Sequence, residues 1–159
     1  MSKIKVAVTG PELMIRGTRG FETLLEEIIS SAQEEIILFA YLITDAALHI
    51  TELLKEAIER GVKVSVVVNS DENIDESVKR HFKKIQQRYP HHFRMICFRE
   101  KTGANLHAKV VIVDRKRVLI GSANLSWGGM VGNYELGVLI EDGEIAWLIA
   151  RMADRIFQM

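Results

Sequence analysis

Four side chains able to bind and attack a phosphate fall within one short stretch of this 159-residue chain: His107, Lys109, Ser122 and Asn124. His107 and Lys109 are two apart, as are Ser122 and Asn124, and residues two apart in a strand share a face. Between them, Val110–Val113 and Val118–Ile120 are β-branched runs flanking the polar tetrad Asp114-Arg115-Lys116-Arg117, the pattern of a hairpin. With Arg115-Lys116 as the turn, Lys109 faces Ser122 and His107 faces Asn124. A four-residue turn about the same centre keeps those pairs, whereas a one-residue slip carries one pair to the other face. Arg-Lys lacks the Gly or Asn that a two-residue turn favours. Convergence would gather an imidazole, an ammonium, a hydroxyl and an amide. Cleaving a phosphodiester needs a nucleophile, an acid for the leaving oxygen and donors for the non-bridging oxygens. A neutral His107 with Nε2 free can attack if a carboxylate accepts its Nδ1 proton. Lys109, Ser122 and Asn124 are then the phosphate donors.

This segment resembles the phospholipase D superfamily, whose motif is His-x-Lys-x4-Asp followed by Gly-Ser-x-Asn. Here it reads His107, Lys109, Asp114, then Gly121, Ser122 and Asn124. The resemblance extends to Glu35–Asn69, which looks like that family's opening strand–helix–strand, and it implies a phospholipase D-like fold. It assigns Glu135 as the carboxylate that orients His107. It also implies a phosphohistidine intermediate and two motif copies per site, one histidine attacking and the other protonating the leaving group. This chain has one copy, and His49, His81, His91 and His92 lack the supporting residues. The expectation is a twofold homodimer with both His107 side chains facing across the axis, similar to the single-motif dimeric nucleases. Asp114 ends the first strand five residues from Lys109, so it is read as structural. No cofactor is called for, and no metal, since two imidazoles and two ammonium groups do that work; no carboxylates form a metal-ligand cluster in the sequence. Trp127 and Tyr134 flank a glycine-rich stretch and could stack on a base; packing is the preferred reading.

Around these residues the chain reads as a single domain, 1–159, long enough to bury a core. Its composition, 48% hydrophobic and 26% charged, is ordinary for a soluble globular protein. One cysteine, Cys97, excludes an internal disulfide and any multi-cysteine zinc site. Its apolar neighbours make it a buried bystander. No secretory core and no run near 18 apolar residues occur, so the expectation is cytoplasmic, with no membrane partner. The net charge is zero, yet Glu76–Lys109 holds nine basic residues against two acidic ones. Such a block suits nucleic acid or another polyanion, or is a solvated helix face.

The elements that must position the site follow from periodicity. Lys3–Val8, Glu35–Ile43, Val62–Val68, Arg94–Phe98 and Tyr134–Ile140 read as strands beside the hairpin. Thr18 is placed as the cap of a helix with stripe Phe21, Leu24, Leu25, Ile28, Ile29. Thr44-Asp45 caps a second helix ending at Gly61, and Ile74, Val78, Phe82 and Ile85 mark a third. Arg99–Asn105 is read as a loop. Ile145, Leu148, Ile149 and Met152 are the expected inner stripe of a closing helix. The fold class is α/β: a mixed sheet of six or seven strands with helices on both faces. The function expected is a metal-independent phosphodiesterase, a nuclease acting on DNA or RNA. The alternatives are a phospholipid-headgroup hydrolase, with no hydrophobic loop beyond Trp127–Val131, and a non-catalytic nucleic-acid-binding subunit. The intact His107, Lys109 and Glu135 argue against the latter.

Overall fold

The run Ile36–Ala40 is wholly apolar and Val64–Val68 is apolar apart from Ser65, so neither has a polar face to show to water and both must lie inside a covered sheet. The computed structural model, which describes residues 3–159, places them there. Its strands are β1 (Lys3–Thr9), β2 (Thr18–Gly20), β3 (Glu35–Ala40), β4 (Lys63–Val68), β5 (Phe93–Cys97), β6 (Val110–Val113), β7 (Arg117–Gly121) and β8 (Glu135–Glu141). They form one mixed sheet in the order β2-β1-β8-β7-β6-β3-β4-β5. β3, β4 and β5 run parallel, while β6 returns antiparallel beside β3. The eight strands exceed the six or seven expected because β2, three residues long, is too short to show a period. Thr18 opens that strand and donates its hydroxyl to Ile15 O at 2.8 Å, so Gly20 stands at the helix N-cap instead.

Helices α1 (Phe21–Ser30), α2 (Leu48–Glu59) and α3 (Glu76–Arg88) cover one face; α5 (Gly143–Phe157) covers part of the other. A short α4 (Phe98–Thr102) replaces the start of the expected loop before His107. Thr44 does not cap α2; a 3-10 turn at Asp45–Ala47 intervenes, and Gly61 follows the helix with φ 95° as its left-handed stop. On α5 the inner stripe is Ala146, Ala150 and Ala153. Small side chains let the helix approach the Val and Ile residues of β6 and β7 closely. The expected stripe is rotated outwards: Ile149 is half-buried, but Leu148 and Met152 are 56% and 52% exposed. No helix among the described residues is long and apolar enough to cross a membrane.

The hairpin departs from expectation by one residue. Val110 pairs with Ile120 and Val113 with Arg117, so Gly121, not Ser122, stands opposite Lys109. The turn is Asp114-Arg115, with φ 56° and 51°, closed by Lys116 N–H on Val113 O at 3.0 Å, and Lys116 is the extra residue. Left-handed backbone at two non-glycine residues costs about 1–3 kcal/mol each, and tertiary bonds offset it. The Asp114 carboxylate accepts the backbone N–H groups of Gln33, Glu34 and Glu35 at 2.8–3.0 Å. Arg115 forks onto Asp154 at 2.9 Å through two nitrogens and onto Glu35 at 2.8 Å.

Partial burial pushes the Asp114 carboxyl up, but the three backbone donors and Arg117 outweigh it and hold it below the ordinary value. A depressed carboxyl contributes stability that is complete above the ordinary carboxylate range and fades as pH falls through the folded value. Asp114→Asn turns one acceptor oxygen into a donor facing N–H groups. The expected cost is about 2 kcal/mol, a fall in Tm of roughly 4–8 °C, with a flatter acid limb in the stability–pH curve. Thermal melts between pH 2 and 7 measure both; an unchanged acid limb contradicts the assignment.

Candidate active site

Because β6 runs antiparallel to β3, the residues just before β6 meet those just after β3 and β4 at one end of the sheet. Asn69, 1% exposed at the end of β4, is the joint there. Its N–H donates to Ala40 O at 3.1 Å, its Nδ2 to Asn73 Oδ1 at 2.8 Å, and its Oδ1 accepts Leu106 N–H at 2.8 Å. His107 is therefore the first side chain beyond a pinned backbone. A polar residue directly after the apolar run Val66–Val68 is a signal of such a role in itself. Asn69→Ala should cost about 2 kcal/mol and reduce turnover by loosening His107, while Asn69→Asp, which keeps the Leu106 acceptor but buries a carboxylate, should lose more stability and less turnover. Melts and rates on the two variants check this, equal losses speaking against a positioning role.

His107 is exposed, and its ring lies against Tyr41 with centroids 4.7 Å apart and planes tilted 50°. Lys109 Nζ is 3.0 Å from the His107 carbonyl oxygen and a long 3.3 Å from Nδ1. An ammonium only donates, so Nδ1 faces it as an acceptor and the ring proton sits on Nε2. Lys109, Asn124, Gly121 and Tyr41 border one small, mainly apolar pocket that core residues such as Leu38, Val111 and Leu119 complete. Gly121 is required there: a Cβ would stand 2.6 Å from Gly137 Cα and 2.7 Å from Leu136 O across the β7–β8 pair. Asn124 is half-buried, and its Oδ1 is shielded from solvent without a hydrogen-bond partner. Its segment is tied down by Leu125, whose N–H donates to Leu42 O and whose carbonyl accepts Thr44 N–H.

Glu135, opening β8, is not bonded to His107. Its carboxylate accepts the Ser122 hydroxyl in a short hydrogen bond and Asn133 Nδ2 at 3.2 Å. Ser122 also takes the Leu136 N–H at 3.1 Å. The structure thus brings His107 to Lys109, and Ser122 to Glu135, as two neighbouring pairs. It sets Asp114 at the opposite end of β6, in its structural role.

Three other expectations shift. Trp127 and Tyr134 are 63% and 66% exposed, so packing does not account for them. The basic block is divided among elements: Lys79 is held by Asp71 at 2.7 Å and Glu76 at 3.2 Å, Arg94 bonds Ser65 and stacks on Phe157, and Arg80, Lys83, Lys84 and Arg88 are exposed on α3. α3 also runs away from the site end, leaving Arg99 and Lys101 of α4 nearer His107 in the chain. The fold does assemble one group with metal-ligand chemistry, Glu22, Glu26 and His49, on the outer surfaces of α1 and α2; none of the three belongs to the motif. Burial raises the Cys97 thiol above its ordinary value, which keeps this half-buried cysteine protonated and inert.

In sequence and in fold the chain is similar to known proteins. Residues 25–157 match the family described as cardiolipin synthase, PLD-like domain. The chain is 30% identical over 141 residues to the DISARM protein DrmC of Bacillus paralicheniformis, covering 87% of this chain and 57% of that protein. It is 30% identical over 145 residues to a phospholipase D of Rickettsia felis, covering 91% of this chain and 64% of that one. It thus spans about three-fifths of the length of these curated relatives. Among solved structures, the phospholipase D family member Nuc of Salmonella typhimurium superposes with a TM-score of 0.79 at 24% identity, over 99% of this chain and 95% of Nuc. NucT of Helicobacter pylori gives 0.74 at 23%, over 99% and 97%. At that identity the likeness is one of fold.

Proposed function

The chain belongs to the phospholipase D-like family, and on that premise we propose that it is a metal-independent phosphodiesterase cleaving nucleic acid through a phosphohistidine in a site shared by two protomers. The observation that carries this reading is the clustering of His107–Lys109 and Ser122–Glu135, with Asn124, at one open end of the sheet. Phosphate arriving at His107 draws Lys109 off Nδ1 and onto its non-bridging oxygens, where Ser122 and Asn124 also donate. The exposed His107 ring exchanges its proton through water from Nε2 to Nδ1, where Glu135, released from Ser122, accepts the N–H and leaves Nε2 free to attack. The Nε2–P bond forms as the P–O bond to the leaving group breaks, and the second protomer's His107 supplies the proton that leaves with that oxygen. The same second imidazole, now neutral, deprotonates a water. That water attacks phosphorus, breaks the N–P bond and returns His107 to its starting state.

The second copy has a face to occupy. Ile4, Val6, Ile120 and Leu136 share the α5 side of the sheet and are 65%, 37%, 36% and 61% exposed. Leu148 and Met152 are likewise exposed on α5. Leu136 adjoins Glu135 and Ile120 adjoins Gly121 in the strands, with their side chains on the other side of the sheet, and an apolar patch of this kind marks an interface. A phospholipid-headgroup hydrolase is the second reading, favoured by the exposed Trp127 and Val131 beside the site and by the names of the Rickettsia relatives. Labelled DNA, RNA and phospholipid vesicles incubated with the protein in excess EDTA decide between the two. Release of nucleotides is the expected result; hydrolysis of the vesicles alone overturns the nuclease reading.

A further inference from the structure

Exposed aromatic rings usually turn their edges to water or lean on apolar neighbours. Trp127 and Tyr134 instead rest on glycines. A Cβ on Gly132 would collide with the Trp127 ring, and a Cβ on Gly10, which has φ 109°, would collide with the Tyr134 ring. Each ring is thereby seated on bare backbone, with about two-thirds of the residue's surface still open. The seats are fixed. Gly128–Gly132 forms a single π-helical turn, a feature that recurs at functional sites. Thr9 Oγ1 donates to Gly129 O at 2.7 Å, and a Cβ on Gly129 would run into the Asn124 backbone. Asn133 N–H closes the turn on Gly128 O at 2.7 Å. Both rings adjoin phosphate-site residues in the chain: Trp127 comes three residues after Asn124, and Tyr134 directly precedes Glu135.

From this arrangement, and resting on the nuclease reading above, we infer that Trp127 and Tyr134 are stacking platforms for nucleobases flanking the scissile phosphate, which makes single-stranded nucleic acid the preferred substrate. Only a strand free of pairing can turn base faces onto two rings while its phosphate sits at His107. A duplex keeps its faces occupied by neighbouring pairs.

Stacking on an aromatic side chain contributes about 1–3 kcal/mol per base, or about 5- to 150-fold at 1.4 kcal/mol per tenfold. The test compares kcat/KM on a single-stranded oligonucleotide with that on the same strand carrying abasic sites around the cleavage point, and on its duplex. The wild-type protein should favour the base-bearing single strand over both by that factor. The advantage should collapse in Trp127→Ala/Tyr134→Ala and persist in Trp127→Phe/Tyr134→Phe, with light scattering unchanged. Retention of the advantage in the double alanine variant overturns the inference, as does conversion of that variant to a monomer, and both leave the nuclease reading standing. Absence of cleavage of any nucleic acid by wild type, with vesicles hydrolysed, removes the nuclease reading itself.

Discussion

His107→Asn will lose nearly all cleavage activity, about 10⁴-fold or more, under conditions in which the wild type works in excess EDTA. The substitution removes the nucleophile from one protomer and the acid from the other in a single step, since the dimer uses the same residue twice. Lys109→Ala removes a cation aimed at developing charge and should cost about 10²–10³-fold with fold and dimer intact. Glu135→Gln keeps the Ser122 contact region but cannot stabilise an imidazolium, so its loss should be intermediate. The signature that separates this mechanism from acid–base hydrolysis is covalent: wild type quenched during turnover should carry an acid-labile, alkali-stable phosphoryl label, and His107→Asn none. Cleavage abolished by EDTA, or label on another residue, would sink the proposal. Mixed dimers sharpen it. In an equal mixture of wild type and His107→Asn, reassorted at random, only wild-type pairs are active, so about a quarter of the activity remains. Independent monomers would retain about half.

The second large effect concerns the apolar face. Leu136→Asp and Leu148→Glu each place a charge where a partner copy would exclude water. Burying an unpaired charge costs several kcal/mol, enough to shift a dimer to monomer at micromolar concentration. Both side chains are more than half exposed on the single chain, so its fold should be unaffected. Light scattering should give a monomer, the thermal melt of the isolated chain should be little changed, and activity should fall with the dimer. A monomeric variant retaining full turnover would show that one His107 is sufficient. Loss of activity in a variant that stays dimeric would mean that Leu136 acts on the neighbouring Glu135 rather than on the interface.

The sequence by itself determined what depends on residue type and local spacing. His107-x-Lys109, Gly121-Ser122-x-Asn124 and Glu135 are legible because two-residue periodicity and short sequence distances restrict where such side chains can go. The apolar runs of β3 and β4 and the stripes of α1 and α3 are legible because burial leaves a periodic trace. Tertiary structure decided what depends on distant partners. The hairpin register moved by one residue because Gln33, Glu34 and Glu35 supply Asp114 with donors from some 80 residues away, and no local turn preference encodes that. α5 turned its alanines inward because the space left above β6 and β7, and not its own hydrophobicity, chose the face. Asn69 became the anchor of His107, and Trp127 and Tyr134 came to rest on Gly132 and Gly10, through close approaches that exist only once the chain has folded. Glu135 sits on Ser122, away from His107, for the same reason: hydrogen-bond partners are chosen by three-dimensional proximity, to which the order of residues gives only partial access.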